Sequence, residues 1–276
     1  MADCRVERAA GPLLGAWIAF ACSGCGVGQG EPASFAPDTP TEPPPLLHDG
    51  FEGAALEPFW RAGDYGSGRY AEGVVVLTDE RARSGRRSAR ITLREGDVRQ
   101  VTDSGKENER AELDSGRHPL LGQDAWCGFS FLVPEGFPIV DVRLVLNQWK
   151  QSGLEGSPIV AQRYRDGRNY VTIRDLRTRG EWRETCELEE IVPGRWNDMV
   201  FHVRFATDAS GLVEVWRNGE RVVHVPGPTA SAEGKPYFYH KIGLYRDRMP
   251  EPMTVYVDNY TLGSSFEIVD PGRFDE

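Results

Sequence analysis

The feature that most constrains this chain is its punctuation. Between Gly73 and Leu262, short runs rich in Val, Ile, Tyr, Phe and Trp are cut by Gly, Pro, Asn and Asp, and helical periodicity is scarce. The runs Gly73–Leu77, Ser88–Leu93, Glu109–Asp114, Ala125–Val133, Leu144–Lys150 and Ile159–Arg165 read as strands. So do Tyr170–Arg174, Asp198–Phe205, Gly211–Arg217, Glu220–His224, Tyr237–Tyr245 and Thr254–Leu262. About a dozen short strands with turn signals between them predict an all-β sandwich or jelly roll. Asn218-Gly219, set between Val213–Trp216 and Arg221–Val223, predicts a tight hairpin.

At 276 residues and 39% hydrophobic content, the chain can bury one large core. Its first residues read differently. Arg5 and Arg8 precede the apolar stretch Leu13–Ala21, too short to span a bilayer but suited to a signal-peptide core, so residues 1–25 are expected to direct export. Ala21-Cys22-Ser23-Gly24-Cys25 resembles a bacterial lipobox with Cys25 as the acceptor and Cys22 second; simple cleavage without lipid is the alternative. Residues 26–47 are rich in Pro and Gly and read as a tether, which leaves 48–276 as the folded domain. The expected location is therefore an outer-membrane lipoprotein, the periplasm or the medium, with membrane contact only through the lipid. Cys127 and Cys186 are either a disulfide or two buried thiols.

The net charge of −10 argues against a nucleic-acid partner but leaves room for an acidic glycan, because a local basic cluster can focus a positive field on an acidic background. Alternation locates such a cluster, since residues two apart share a sheet face. Arg110 and Glu112 share one face of Asn108–Asp114. Gln148 and Lys150 share one face of Leu146–Lys150. Tyr237, Tyr239, Lys241 and Tyr245 line one face of the Tyr237–Tyr245 strand, with Gly243 leaving room among them. Each feature alone is an ordinary solvated strand face. Together they hold the groups needed to bind a uronate and remove its C5 proton.

Arg110-Ala111-Glu112-Leu113 resembles the R-x-E-L strand of alginate lyases in polysaccharide lyase family 7. Gln148-Trp149-Lys150 is similar to the Q-x-H strand of that family. Tyr237-Phe238, followed by Lys241-Ile242-Gly243-Leu244-Tyr245, is similar to its Y-F-K-x-G-x-Y strand with two extra residues. The wider frame resembles the heparin lyase I and glucuronan lyase type: Trp126–Ser130, Val133–Pro138, Leu146–Trp149, Gly194–Asp198, Val213–Gly219, Lys241–Arg246 and Val257–Asn259. The resemblance covers nearly all of residues 48–265. It implies a concanavalin A-like jelly roll of two antiparallel sheets with a concave cleft, acting as a polysaccharide lyase on a uronate-containing acidic polysaccharide by β-elimination. It further implies that Arg110, Gln148 and Lys241 neutralise the uronate carboxylate, with Glu112 and Tyr239 beside the substrate. Tyr245 matches the tyrosine that moves the proton; an ordinary tyrosine titrates near ~10, so nearby cations such as Lys241 and Arg110 are expected to favour its phenolate.

Lys150 departs from the pattern, standing where the family often has a histidine, and an ordinary lysine is a poor base at neutral pH. Three consequences follow in order: Tyr245 serves as base and acid, Lys150 is deprotonated by crowding from Arg110 and Lys241, or the domain binds without cleaving. His118, in the loop Gly116–Pro119, is the other histidine considered for the cleft; His240 should face away from Lys241, and His202 and His224 lie in apolar strands. A glycoside hydrolase would need two carboxylates at fixed separation, and Glu112-Leu113-Asp114 is followed by Gly116 where a third acid of the laminarinase-like strand would stand. A carbohydrate-binding module is the other rival. No cofactor and no dedicated calcium loop are evident, and a monomer is expected.

Overall fold

The computed structural model describes Cys4 and residues 46–61, 72–97, 99–101, 107–177 and 181–274. The leader apart from Cys4, with its acceptor Cys25, and the tether up to residue 45 lie outside the described residues. The strands run in chain order as β1 (Leu47–Asp49), β2 (Val75–Thr78), β3 (Ser88–Leu93), β4 (Arg99–Val101), β5 (Glu107–Asp114), β6 (Asp124–Leu132), β7 (Leu144–Gln151) and β8 (Val160–Arg165). They continue as β9 (Arg168–Arg174), β10 (Trp182–Leu188), β11 (Asn197–Arg204), β12 (Leu212–Arg217), β13 (Glu220–Pro226), β14 (Phe238–Asp247) and β15 (Met253–Gly263), followed by a single-turn helix α1 (Phe266–Val269).

The strands form two antiparallel sheets. One is ordered β13-β12-β11-β6-β15-β3-β2, with β1 also on β15; the other is ordered β10-β9-β8-β7-β14-β5-β4. Each run read as a strand from sequence is present, its ends within about two residues. Strands β1, β4 and β10 were not expected. The first and second are three residues long, and β10 is an edge strand whose charged residues Arg183, Glu184 and Glu187 leave no apolar alternation, as suits an exposed edge. The β12–β13 hairpin turns at Asn218 and Gly219, with φ of 52° and 79°, the left-handed pair that a two-residue loop requires.

The core lies between the sheets. Phe129, Phe201 and Tyr260 face inward from the first, while Trp149 and Phe238 face inward from the second. Phe205, just beyond β11, stacks on Phe238 at 3.8 Å between centroids and meets the Trp149 ring at 5.5 Å, which closes one end of the sandwich. The apolar alternation that defines the strands therefore also defines the layer between them.

Sequence left a Cys127–Cys186 disulfide open, and the structure pairs differently. Cys186 of β10 is bonded to Cys4, with Cα atoms 5.1 Å apart. Cys127 of β6 is a free, buried thiol, 3.6 Å from Nδ1 of His240. Cys127 sits in the core near the middle of the sheet, whereas Cys186 is on the far edge of the other sheet, so the two are not neighbours. The bridge also places Cys4 of the expected leader against the domain, so a domain from which the leader has been released cannot keep it.

One buried ion pair fixes the end of β14. Arg246 and Glu109 of β5 lie 2.7 Å apart with both side chains fully buried. Arg246 also donates to the carbonyls of Glu251 at 2.5 Å and Met249 at 3.4 Å, while Glu109 accepts the Gly96 N–H at 2.6 Å. Two loops are thus tied to the sheet by one pair. Arg246→Met would leave Glu109 buried without its cation, and the expected loss is about 3–5 kcal/mol by urea unfolding. A loss below about 1 kcal/mol would show that solvent reaches Glu109.

Candidate active site

Strand β14 lies between β5 and β7, so its outward side chains meet those of both neighbours. Tyr245 is opposite Arg110, Gly243 opposite Glu112, and Lys241 opposite Asp114 on one side and Gln148 on the other; Tyr239 is opposite Lys150. Arg110, Gln148, Lys241, Tyr245, Tyr239 and Lys150 therefore share the outer face of three adjacent strands. The register against β7 slips by one residue between Ile242 and Tyr245, so β14 is bulged there. Gly243, at φ 140°, makes the bulge possible, because a Cβ at that position would collide with the Ala111 carbonyl of β5.

The base of the site is the Glu112 carboxylate, 1% exposed. Its Oε2 lies 3.1 Å from Nε of Arg110, and its Oε1 accepts a hydrogen bond from the Gln148 amide. Sequence placed Glu112 beside the substrate; in the structure it lies beneath Arg110 and Gln148 and holds both. Lys241 is placed by Asp114, with Nζ 3.6 Å from Oδ2, and stands 5.5 Å from the Tyr239 ring centre. Arg117 covers that same ring at 4.5 Å.

The guanidiniums of Arg110 and Arg143 lie 3.9 Å and 4.3 Å from the centre of the Tyr245 ring, and the Asn108 amide donates to its hydroxyl at 3.4 Å. Asp247 orients Arg143 with bonds of 3.1 Å and 2.6 Å. Behind them, Arg163 of β8 is held by burial, and then by the like charge of Arg143, down to about 10. Sequence reasoning expected Lys241 next to Tyr245 and missed Arg143 and Arg163. Arg163 was readable from the alternation of β8 once β7 was its neighbour, but Arg143 lies in the approach to β7, where no periodic signal exists.

Lys150 donates from Nζ to the Gly156 carbonyl at 2.9 Å, turned toward the loop after β7. No histidine stands in for it. His240 is fully buried, pushed down to about 3 by that burial, and faces the core as alternation required. His118 pairs through its backbone with Phe238, an inward-facing residue, so it stands on the far side of the sheet from Tyr239 and Lys241. His48, His202 and His224 belong to the other sheet, the last two sharing Glu214 at 2.9 Å and 2.8 Å. Among the described residues, no group of three His, Cys, Asp or Glu side chains is arranged to hold a metal ion.

The arrangement is a basic face with a phenol at its centre. Glu112 and Asp114, the acids a hydrolase would need, are both buried and engaged. Replacing Glu112 with Ala removes the counter-charge under Arg110 and the acceptor of Gln148. The expected cost is about 2–3 kcal/mol in urea unfolding, and a variant as stable as the parent would show that neither group depends on it.

The sequence matches the family described as polysaccharide lyase over residues 51–261. No curated protein matches the chain. Among solved structures, an endo-β-1,4-glucuronan lyase from the fungus Trichoderma reesei is similar at 17% identity and TM-score 0.57, covering 78% of this chain and 98% of that one. Alginate lyase A1-II′ of polysaccharide lyase family 7 is similar at 15% identity and TM-score 0.54, covering 71% and 85%. A cellulose-induced protein, Cip1, is similar at 14% identity and TM-score 0.51, covering 79% and 97%. These likenesses establish the shared jelly-roll sandwich, and the family match over most of the chain establishes that the protein belongs to the polysaccharide lyase family.

Proposed function

We propose that the outer face of β5, β14 and β7 cleaves a uronic-acid-containing polysaccharide by β-elimination. The observation that carries this reading is the joint placement of Arg110 and Gln148 on one buried carboxylate, with Tyr245 and Lys241 on the strand between them. The glucuronan and alginate lyases that resemble this chain act on polyuronates by their names, which agrees with the chemistry of the face.

Arg110, Gln148 and Lys241 receive the uronate carboxylate, and their charge and hydrogen bonds offset the negative charge that develops there as the C5 proton leaves. The C5–H bond breaks toward Tyr245 Oη, its electron pair forms the C4–C5 double bond, and the C4–O4 bond breaks. The departing O4 takes up a proton, and Tyr245 is the group placed to return it. One phenol as base and acid suits a substrate whose C5 hydrogen and leaving group lie on the same side. No histidine shares this face, and the ammonium of Lys150 is directed at Gly156, which supports the single-tyrosine scheme. Arg110 and Arg143 over the ring place positive charge where the phenol oxygen would carry negative charge.

The test is the absorbance of unsaturated uronate on incubation with glucuronan, alginate and heparin. Tyr245→Phe is expected to lower kcat by about 10²–10⁴-fold, and Lys150→Ala to leave it within about 10-fold. A fully active Tyr245→Phe enzyme would remove Tyr245 from the chemistry. Retained binding with no cleavage of any polyuronate would make the domain a carbohydrate-binding module.

The leader supports export of the domain to the cell surface or beyond. Intact mass and thiol counting of the protein recovered outside the cytoplasm are expected to give a chain that starts near Cys25 with Cys186 free. A full-length chain with the Cys4–Cys186 bridge intact would overturn cleavage.

A further inference from the structure

The polar face does not stop at Tyr245. It continues across β8 and β9 to the edge strand β10, where Trp182 stands 36% exposed. Four strand spacings separate β14 from β10, about 19 Å at the usual interstrand distance. Along that path Arg163 of β8 is 5% exposed and sits with its guanidinium 4.5 Å from the Trp182 ring centre. Its Nε donates to Thr172 of β9 at 2.9 Å, and among the described residues no carboxylate pairs with it. Arg143 adds like charge from the direction of Tyr245.

A buried guanidinium without an acid is an unbalanced charge, and folded proteins normally pair such groups. The partly exposed indole beside it packs against the cation and still offers surface to solvent. Indole faces pack well against apolar faces of flat groups and take up little entropy in doing so. An anion beside the ring completes both needs at once.

We infer that Trp182 and Arg163 form a distal sugar subsite: the indole stacks on a ring of the glycan while the guanidinium takes that sugar's carboxylate. The subsite rests on the polyuronate reading above and extends it, because a chain reaching from Tyr245 to the indole beside Arg163 must contain more than one uronate unit. Its occupants are long acidic chains rather than short ends, so the face binds along the polymer.

The test compares a polyuronate polymer with the shortest oligomer that the enzyme cleaves. Trp182→Ala is expected to raise KM on the polymer about 10-fold with kcat unchanged, and to leave the short oligomer unaffected. Equal losses on both substrates, or none on either, would overturn the subsite. Arg163→Met is expected to weaken polymer binding by a similar factor and flatten its salt dependence, while the thermal midpoint stays level or rises, because an unpaired buried charge has been removed. A lower midpoint with unchanged binding would make Arg163 structural and overturn its role. If the enzyme cleaves no polyuronate, the lyase reading fails separately. Retardation of wild type and Trp182→Ala in gels containing glucuronan or alginate then decides the subsite, which stands if the variant alone migrates freely and falls if both migrate alike.

Discussion

The rest of the site depends on one buried carboxylate. Glu112 lies under the outer face of the sheet with Arg110 on one oxygen and Gln148 on the other, so groups from β5 and β7 are oriented across β14 by a single anion. A cationic face without such a counter-charge would repel itself and swing its long side chains into solvent. Burial strengthens the hold, since few water molecules compete for the carboxylate. The same acid also lowers the net charge of that face, leaving hydrogen-bond donors with fixed directions rather than a diffuse positive field.

A second constraint comes from the bulge in β14. An uninterrupted strand would set Tyr245 opposite Leu144, a core residue, whereas the extra residue at Gly243 sets it opposite Val145. The Arg143 guanidinium, from the approach to β7, covers the phenol ring at 4.3 Å. The irregularity at the centre of the sheet therefore sets which part of β7 the phenol faces, and it is possible only because residue 243 has no side chain.

Much of this was readable from sequence because two-residue alternation carries both fold and site. The apolar positions Ala111, Leu113, Ile242 and Leu244 mark the inner face, and that leaves Arg110, Glu112, Lys241 and Tyr245 on the outer one. The same rule sent His240 to the core. It could not distinguish Glu112 as a support beneath the surface from Glu112 as a substrate contact, since alternation gives the side of a sheet but not the depth. Nor could it find Arg143, whose position follows from its bond to Asp247, or β10, whose charged edge lacks an apolar period. The pairing of Cys186 with Cys4 over 182 residues of sequence was equally out of reach, because spacing says nothing of which thiols meet in space.

The two ends of the polar face differ in how freely they can change. Arg110, Glu112 and Gln148 form a closed set in which each residue is needed for the placement of the others, so a substitution at one alters the value of substitutions at the rest. Trp182 sits instead on an edge strand, outside that set, against Arg163. Substitutions on β10 therefore stand outside the closed set and can vary one at a time, while the centre changes only as a block.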